Sequence, residues 1–221
     1  MISVAIDGFT GCGKSTLAKA LCQRLGFRML DTGAIFRGIA CAYGDMAYDE
    51  MNDENIEKFV KGISVEVKFI DDVQHVFVNG DDKTPNLRTE KTSQLASKIS
   101  VYPKVREFMN ETARDFAKNN NCIIEGRDIG SVVLPNADVK IFLTADEEVR
   151  AKRRYLQLVD AGKTANFDEV LKDLKERDYR DSHREVAPLK MAEGAIKVDN
   201  TNMSFEETIE YCHNLIAKKL K

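Results

Sequence analysis

The chain has no apolar run approaching the roughly 18 residues that a membrane-spanning helix needs, so no helical membrane span is expected. No basic stretch precedes its first apolar run, so no secretory leader is expected. It has no positive excess either. The formal net charge is −3, the wrong sign for a general nucleic-acid-binding surface. Metal- or redox-type cysteine spacing is also missing. Cys12, Cys22, Cys41, Cys122 and Cys212 are scattered without C-x-x-C, which reads as free thiols in a reducing cytosol and predicts a cytoplasmic protein. There are no internal repeats, and no exposed apolar seam is evident, so a monomer is expected. What remains is ordinary globular composition, 43% apolar and 31% charged, in 221 residues: enough for one large domain or a core carrying an insertion.

The most informative stretch is residues 8–15, GFTGCGKS, directly after the apolar run at 2–6. This is G-x-x-x-x-G-K-[ST] between a buried strand and an amphipathic helix, the context that gives the motif its meaning. Glycine lets the loop curl until its N–H groups point inward at phosphate. Gly8, Phe9, Thr10, Gly11, Cys12, Gly13, Lys14, Ser15 and Thr16 are therefore the expected triphosphate cradle. Lys14 adds a point charge over the β- and γ-phosphates, and the Ser15 hydroxyl is the expected Mg²⁺ ligand. Leu17, Leu21 and Leu25 mark the apolar face of the following helix, with Gly26 as its stop. The chain is thus expected to bind a nucleoside triphosphate.

Short apolar runs at 2–6, 28–30, 122–124, 139–143 and 196–198 alternate with helical patterns, which predicts a parallel sheet covered on both faces. Thr144 with Glu147 and Ser204 with Glu207 fit capping boxes, and Asn166 with Glu169 marks another helix start. Ile209, Cys212, Ile216 and Leu220 recur at helical spacing in the last helix. One stretch differs. Residues 65–69 and 75–78 alternate with period two, and Asn79-Gly80 is a turn signal. A small antiparallel sheet inserted in an α/β chain is expected there, suited to a second substrate.

Arginine placement is the next signal. Arg37 follows the strand at 28–30, Arg106 opens a helix that buries Val105, Met109 and Phe116, and Arg127-Asp128 follow the strand at 122–124. Residues just past a strand's carboxyl end face the ligand crevice of an open parallel sheet, which places Glu125, Arg127 and Asp128 near the loop. Arg177, Arg180, Asp181 and Arg184 share one face if their helix continues, and like charges at such spacing repel unless an anion relieves them. Arg150, Arg153 and Arg154 form a second basic face leading into Asp160-Ala161-Gly162-Lys163, a candidate mobile lid. A hydroxyl acceptor would need a base to take its proton. A nucleoside monophosphate, whose second pKa is near 6, is already ionised and needs cations to hold two anions together. Arginines without an obvious base fit the second case, and the guanidinium fork suits phosphate.

The segments IDGFTGCGKST, LDTGAIFR, Arg88-Thr89-Glu90, Ser97 with Pro103-Lys104-Val105-Arg106, EGRDIGSVVLP, KIFLTA, RRY and RDYRDSHREVAPLK, in this order over essentially the whole chain, closely resemble bacterial cytidylate kinases. That resemblance implies a P-loop three-layer α/β core with a parallel sheet, carried by residues 1–34 and 101–221, with a lid at about 155–166. It implies an inserted antiparallel monophosphate-binding domain at 35–100. It implies phosphoryl transfer from ATP to CMP or dCMP with Mg²⁺. Carried to matching positions, Thr32, Arg106, Asp128 and Arg184 would surround cytosine, with Asp128 accepting from its exocyclic amine. Ser97, Arg177 and Asp181 would hold the sugar, and Arg37 and Arg127 would clamp the monophosphate. Arg153 and Arg154 would reach the phosphates on lid closure. The resemblance makes Lys14, Arg127, Arg153, Arg154 and Arg184 the catalytic set. Phe36 stands where tyrosine is common, and Asn200 and Asn202 where threonines are more usual; these departures are expected to touch none of the carried-over roles.

Other readings remain open at this point. A GTPase switch needs N-K-x-D and D-x-x-G, and neither occurs. A kinase for adenylate, thymidylate or a small hydroxyl acid shares core and loop; the β-insert with Ser97, Asp128 and Asp181 favours CMP. A silent ATP-binding regulatory module predicts a broken site, yet Lys14, Arg37, Arg127, Arg177 and Arg184 are all present.

Overall fold

The computed structural model describes residues 1–46, 51–71 and 73–219. In chain order the strands and helices are β1 (Ser3–Gly8), α1 (Lys14–Leu25), β2 (Arg28–Asp31), α2 (Thr32–Asp45), α3 (Asp53–Lys61), β3 (Val65–Ile70), β4 (Val73–Val78), β5 (Asp81–Asp82), α4 (Glu90–Ile99), α5 (Pro103–Asn119), β6 (Cys122–Gly126), β7 (Val139–Thr144), α6 (Glu147–Asp160), α7 (Phe167–His183), β8 (Ile196–Asp199) and α8 (Phe205–Lys219). They form two compact units, one of Met1–Met29 with Asn119–Lys221, the other of Leu30–Lys118.

A five-stranded sheet, with β1, β6, β7 and β8 in the first unit, runs β2-β6-β1-β7-β8; β1 is parallel to both β6 and β7, and β7 to β8. The expected strands are all present. Strand β1 is buried along nearly its whole length because it is central and covered on both faces, which is why it reads as a continuous apolar run rather than an alternation. Leu17, Ala18 and Leu21 of α1 and Ile209, Cys212 and Ile216 of α8 pack with Val4, Ile6, Val139 and Ile141 in one core. Leu220, expected to extend that face of α8, lies outside the described residues.

Local chemistry sets the helix ends. Gly26 closes α1 in the left-handed region at φ 68°, its N–H reaching the Cys22 carbonyl. Ser204 and Glu207 form a reciprocal capping box: the Ser204 N–H donates to the Glu207 carboxylate (2.8 Å) and the Glu207 N–H to Ser204 Oγ (3.2 Å). Asn166 caps α7 by accepting from the Asp168 and Glu169 N–H groups. At α6 the expectation is corrected. Thr144 is the last residue of β7, and Asp146 is the cap, accepting from Glu148 and Val149. An Asp two residues closer to the helix outcompetes a Thr still held in the sheet ladder.

The second unit contains the antiparallel sheet β3-β4-β5. Asn79-Gly80 joins β4 to β5, both residues at positive φ (52° and 84°), as a tight hairpin turn needs. Gly38 of α2 faces Val76 so closely that a Cβ would meet Val76 Cγ1 at 2.5 Å; the missing side chain lets this helix seat on β4. In α5, Val105 and Met109 are fully buried, while Phe116 is half-buried and stacks on Phe69 (5.6 Å).

Candidate active site

Strands β1 and β6 end side by side, Asp7 paired with Gly126, so the loop after β1 and residues Arg127-Asp128 emerge at the same sheet edge. The loop's first turn depends on Gly8. A Cβ there would sit 1.9 Å from the Leu143 carbonyl oxygen of the neighbouring strand, so only glycine lets the chain leave the sheet at this point. Gly13 then caps α1 at φ 93°. Ser15 and Thr16 are exposed in the first turn of α1, while Cys12 is buried with its thiol donating to the Phe9 carbonyl (3.0 Å). Lys14 is buried, and its ammonium donates to the carbonyls of Gly8 (2.9 Å) and Phe9 (2.7 Å). Burial first, then the positive charges of Arg127 and Arg177, hold that ammonium below its ordinary range. Cations this crowded favour an anion among them.

Thr10 is bound differently from its neighbours. Its N–H donates to Asp178 Oδ1 (3.0 Å) rather than into the loop; its carbonyl accepts from Arg150 Nη1 (2.9 Å), and its hydroxyl from Arg127 Nη2 (3.0 Å). Arg150 also pairs with Asp178, donates to the Ala145 carbonyl (2.9 Å) and lies over the Phe9 ring (5.2 Å). Arg150 is therefore not part of an exposed basic face, as its spacing to Arg153 and Arg154 predicts, but a buried pillar under the loop. Its guanidinium is swallowed because Asp178 supplies the counter-charge and the carbonyls of Ala145 and Thr10 take two further donors.

Arg127 Nε donates to Asp181 Oδ2 (2.8 Å), and Arg184 Nη2 to Asp128 Oδ1 (3.3 Å). Burial alone would raise the Asp181 carboxyl, but the charge and hydrogen bond of Arg127, with Arg177 and Arg184 behind them, hold it below the usual carboxylate range. Arg127, Asp128, Arg177, Asp181 and Arg184 thus form one network beside Lys14. Arg180 stands apart from the face it was expected to share: it is exposed, its Nε on the Glu176 carbonyl, and α7 ends at His183 with Arg184 as its extended C-cap.

Asp7 lies beneath this network. Its carboxylate oxygens accept from the Ile129 (2.8 Å) and Gly130 (2.7 Å) N–H groups, fixing the turn that follows Asp128. Burial is the main cause that lifts this carboxyl from 3.8 to about 6, against the two N–H groups that oppose it. A raised acid binds its proton more tightly folded than unfolded. The stability it confers is therefore fully present below about pH 4 and is lost as pH rises through about 6. Asp7→Asn is expected to cost about 1–3 kcal/mol, because an amide turns an NH₂ toward one of the two N–H donors. It should also abolish that decline. Denaturant unfolding of both chains from pH 4 to 7 checks this: an unchanged pH slope contradicts it.

In the second unit Asp31 caps α2, accepting from the Ala34 N–H (2.9 Å), and pairs with Arg37 (2.9 Å). Thr32 is buried in the first turn of α2, and Ser97 is half-buried in α4. Arg106 is buried; it donates to the Ser100 carbonyl (3.0 Å) and lies over the Phe36 ring (5.6 Å). Phe36 therefore does touch an expected site residue, a correction to the reading of that departure. The same holds for Asn200. Its amide and main-chain oxygens accept from Arg153 Nη1 and Nη2 (both 3.0 Å), and its Nδ2 donates to the Cys12 carbonyl (3.1 Å). Asn200 links Arg153 to the phosphate loop, whereas Arg154 is exposed. Sequence reasoning placed Arg150 on a basic face and noted Asn200 only as a departure; it missed the buried roles of both and of Asp178. Arg150 and Asp178 lie in charged runs that do not set them apart from their neighbours, and for Asn200 the departure itself was the one signal.

A family model described as cytidylate kinase matches residues 4–218. The chain is 42% identical to a cytidylate kinase of Pasteurella multocida over 221 residues, covering 99% of this chain and 96% of that one. It is 43% identical to one of Thermosipho melanesiensis over 218 residues, covering 99% and 98%. It is 39% identical to one of Caldicellulosiruptor bescii over 220 residues, covering 100% and 97%. With the family model spanning nearly the whole chain and relatives at this identity, the chain belongs to the cytidylate kinase family.

Proposed function

We propose that the chain transfers the γ-phosphoryl group of ATP to CMP or dCMP, giving ADP and CDP or dCDP. The observation that carries this reading is the crowding of Lys14, Arg127 and Arg177 at one glycine loop, where the ammonium's own affinity for its proton is lowered by burial and by those neighbours. The loop N–H groups and Lys14 hold the donor phosphates. Arg127 and Arg37 take the monophosphate. Each already faces a carboxylate, Asp181 or Asp31, that keeps its fork oriented. Thr32, Arg106, Asp128 and Arg184 read cytosine. A carboxylate at Asp128 accepts from the exocyclic amine, where uracil would present another acceptor. Ser97, Arg177 and Asp181 hold the sugar, and Arg153 and Arg154 reach the transferring group. The acceptor phosphate is ionised near neutral pH, so no protein base is needed and the chain's work is positioning and charge neutralisation.

Among the described residues no group of His, Cys, Asp or Glu is arranged to cage a metal. An exposed Ser15 hydroxyl in the first turn of α1 fits a Mg²⁺ ion that arrives with the nucleotide and keeps several oxygens from phosphate and water. Bound there, the ion would neutralise developing charge on the phosphates. The free state of all five cysteines accords with action in the cytoplasm, where the chain would work as a monomer. Among the described residues no helix is long and apolar enough to cross a membrane.

Coupled ADP release with CMP, dCMP, UMP and AMP as acceptors tests the reading. CMP or dCMP should be preferred; ADP release independent of acceptor, or preference for AMP, would overturn it. In the same assay Asp128→Ala is expected to raise KM for CMP about tenfold or more, as loss of a charge-assisted hydrogen bond does, with a smaller effect on KM for ATP. The opposite order would place Asp128 on the other substrate.

A further inference from the structure

We infer that Thr10, a residue of the donor-phosphate loop, is a positioning residue for the acceptor: its hydroxyl sets the plane of Arg127. This rests on the reading above that Arg127 receives the monophosphate. A guanidinium has five N–H donors. Arg127 commits Nε to Asp181 (2.8 Å), one N–H of Nη1 to the Gly126 carbonyl (3.4 Å) and one of Nη2 to Thr10 Oγ1 (3.0 Å). One N–H remains on each terminal nitrogen, the pair that a phosphate takes in a two-pronged bond. Asp181 holds the plane at Nε, and the Gly126 carbonyl holds it only loosely at Nη1, 3.4 Å away. Thr10 supplies the third point, at Nη2, with a shorter bond of 3.0 Å.

Thr10 can act as a fixed reference because its own backbone is held at both ends. Its N–H is on Asp178 and its carbonyl on Arg150, two buried residues from α7 and α6 paired to each other. The N–H, the carbonyl and a hydroxyl lone pair of Thr10 are thus engaged by protein, which leaves only the hydroxyl's own proton to donate elsewhere. The loop therefore serves both substrates: its other N–H groups and Lys14 address the donor, while Thr10 orients the arginine for the acceptor.

The test is steady-state kinetics of Thr10→Val, which keeps the shape and loses the hydroxyl, against Thr10→Ser, which keeps the hydroxyl. Thr10→Val is expected to raise KM for CMP about tenfold, the loss typical of a hydrogen bond to a charged group, with KM for ATP changing less than about twofold. Thr10→Ser should restore KM for CMP to near the parent value. In an Arg127→Lys background, Thr10→Val should have no further effect on CMP. Equal increases for both substrates, no increase for CMP, or failure of serine to rescue would each overturn the inference. If Thr10→Val does not unfold cooperatively, Thr10→Ala against Thr10→Ser makes the same comparison. A parent chain with no CMP-dependent ADP release would sink the functional reading itself, an outcome distinct from an active parent with a silent Thr10→Val.

Discussion

Lys14→Met is expected to lower turnover by about 10²- to 10³-fold, the usual loss when one preorganised donor to a developing charge is removed, while the chain keeps its fold. The two halves of this expectation come from the same geometry. The ammonium is buried among loop carbonyls and depressed in pKa by burial, Arg127 and Arg177. Folding therefore gains little from its charge. What the charge serves is the phosphate, whose arrival turns repulsion among cations into attraction. Methionine keeps the apolar stem and removes only the point charge, so circular dichroism and melting should stay close to the parent. A variant that turns over at near-normal rate would show that Lys14 does not address the reacting phosphate. One that fails to fold would show that the ammonium is a structural strut.

The second large effect is on stability. Asp178→Ala is expected to cost about 3–5 kcal/mol in unfolding free energy, because it strands the Arg150 charge in the interior. Both side chains are nearly inaccessible, at 9% and 4% exposure, so water cannot take over the lost partner. The same change frees the Thr10 N–H, so the phosphate loop loses its anchor on α7. Replacing both partners together, Arg150→Met with Asp178→Leu, should cost less than Asp178→Ala alone, since no buried charge is then left unpaired. Denaturant unfolding of the single and double variants decides this. A single variant within about 1 kcal/mol of the parent, well below the cost of an uncompensated buried charge, would mean that Arg150 finds water or another acceptor.

Much of this molecule is legible in its sequence because its signals are local. The phosphate loop is a contiguous motif with a strand before it and a helix after it. The capping box at Ser204 and Glu207, the stop at Gly26 and the turn at Asn79-Gly80 are each set by residues a few positions apart, and each forms as read. Chemistry that depends on distant partners was not legible. Arg150, Arg153 and Arg154 look alike along α6. What separates them is Asp178, 28 positions away, which buries Arg150, and Asn200, 47 positions from Arg153, which holds it. Periodicity places three arginines on a helix but does not say which one finds a carboxylate. Thr144 and Asp146 illustrate a smaller limit: both suit an N-cap, and only the extent of strand β7 decides between them. Phe36 and Asn200 show that a departure from a family pattern is itself a signal. Each rests against an arginine of the expected site.

Crystals of the chain grown with CMP and a non-hydrolysable ATP analogue offer the most direct trial of the central claim, that one glycine loop and a set of guanidinium groups hold two anions together for transfer. The account predicts the donor's γ-phosphate within hydrogen-bonding distance of Lys14 Nζ, the CMP phosphate on Arg37 and on the terminal nitrogens of Arg127, and the cytosine amine on Asp128. Density placing either phosphate away from Lys14 and Arg127 would contradict it.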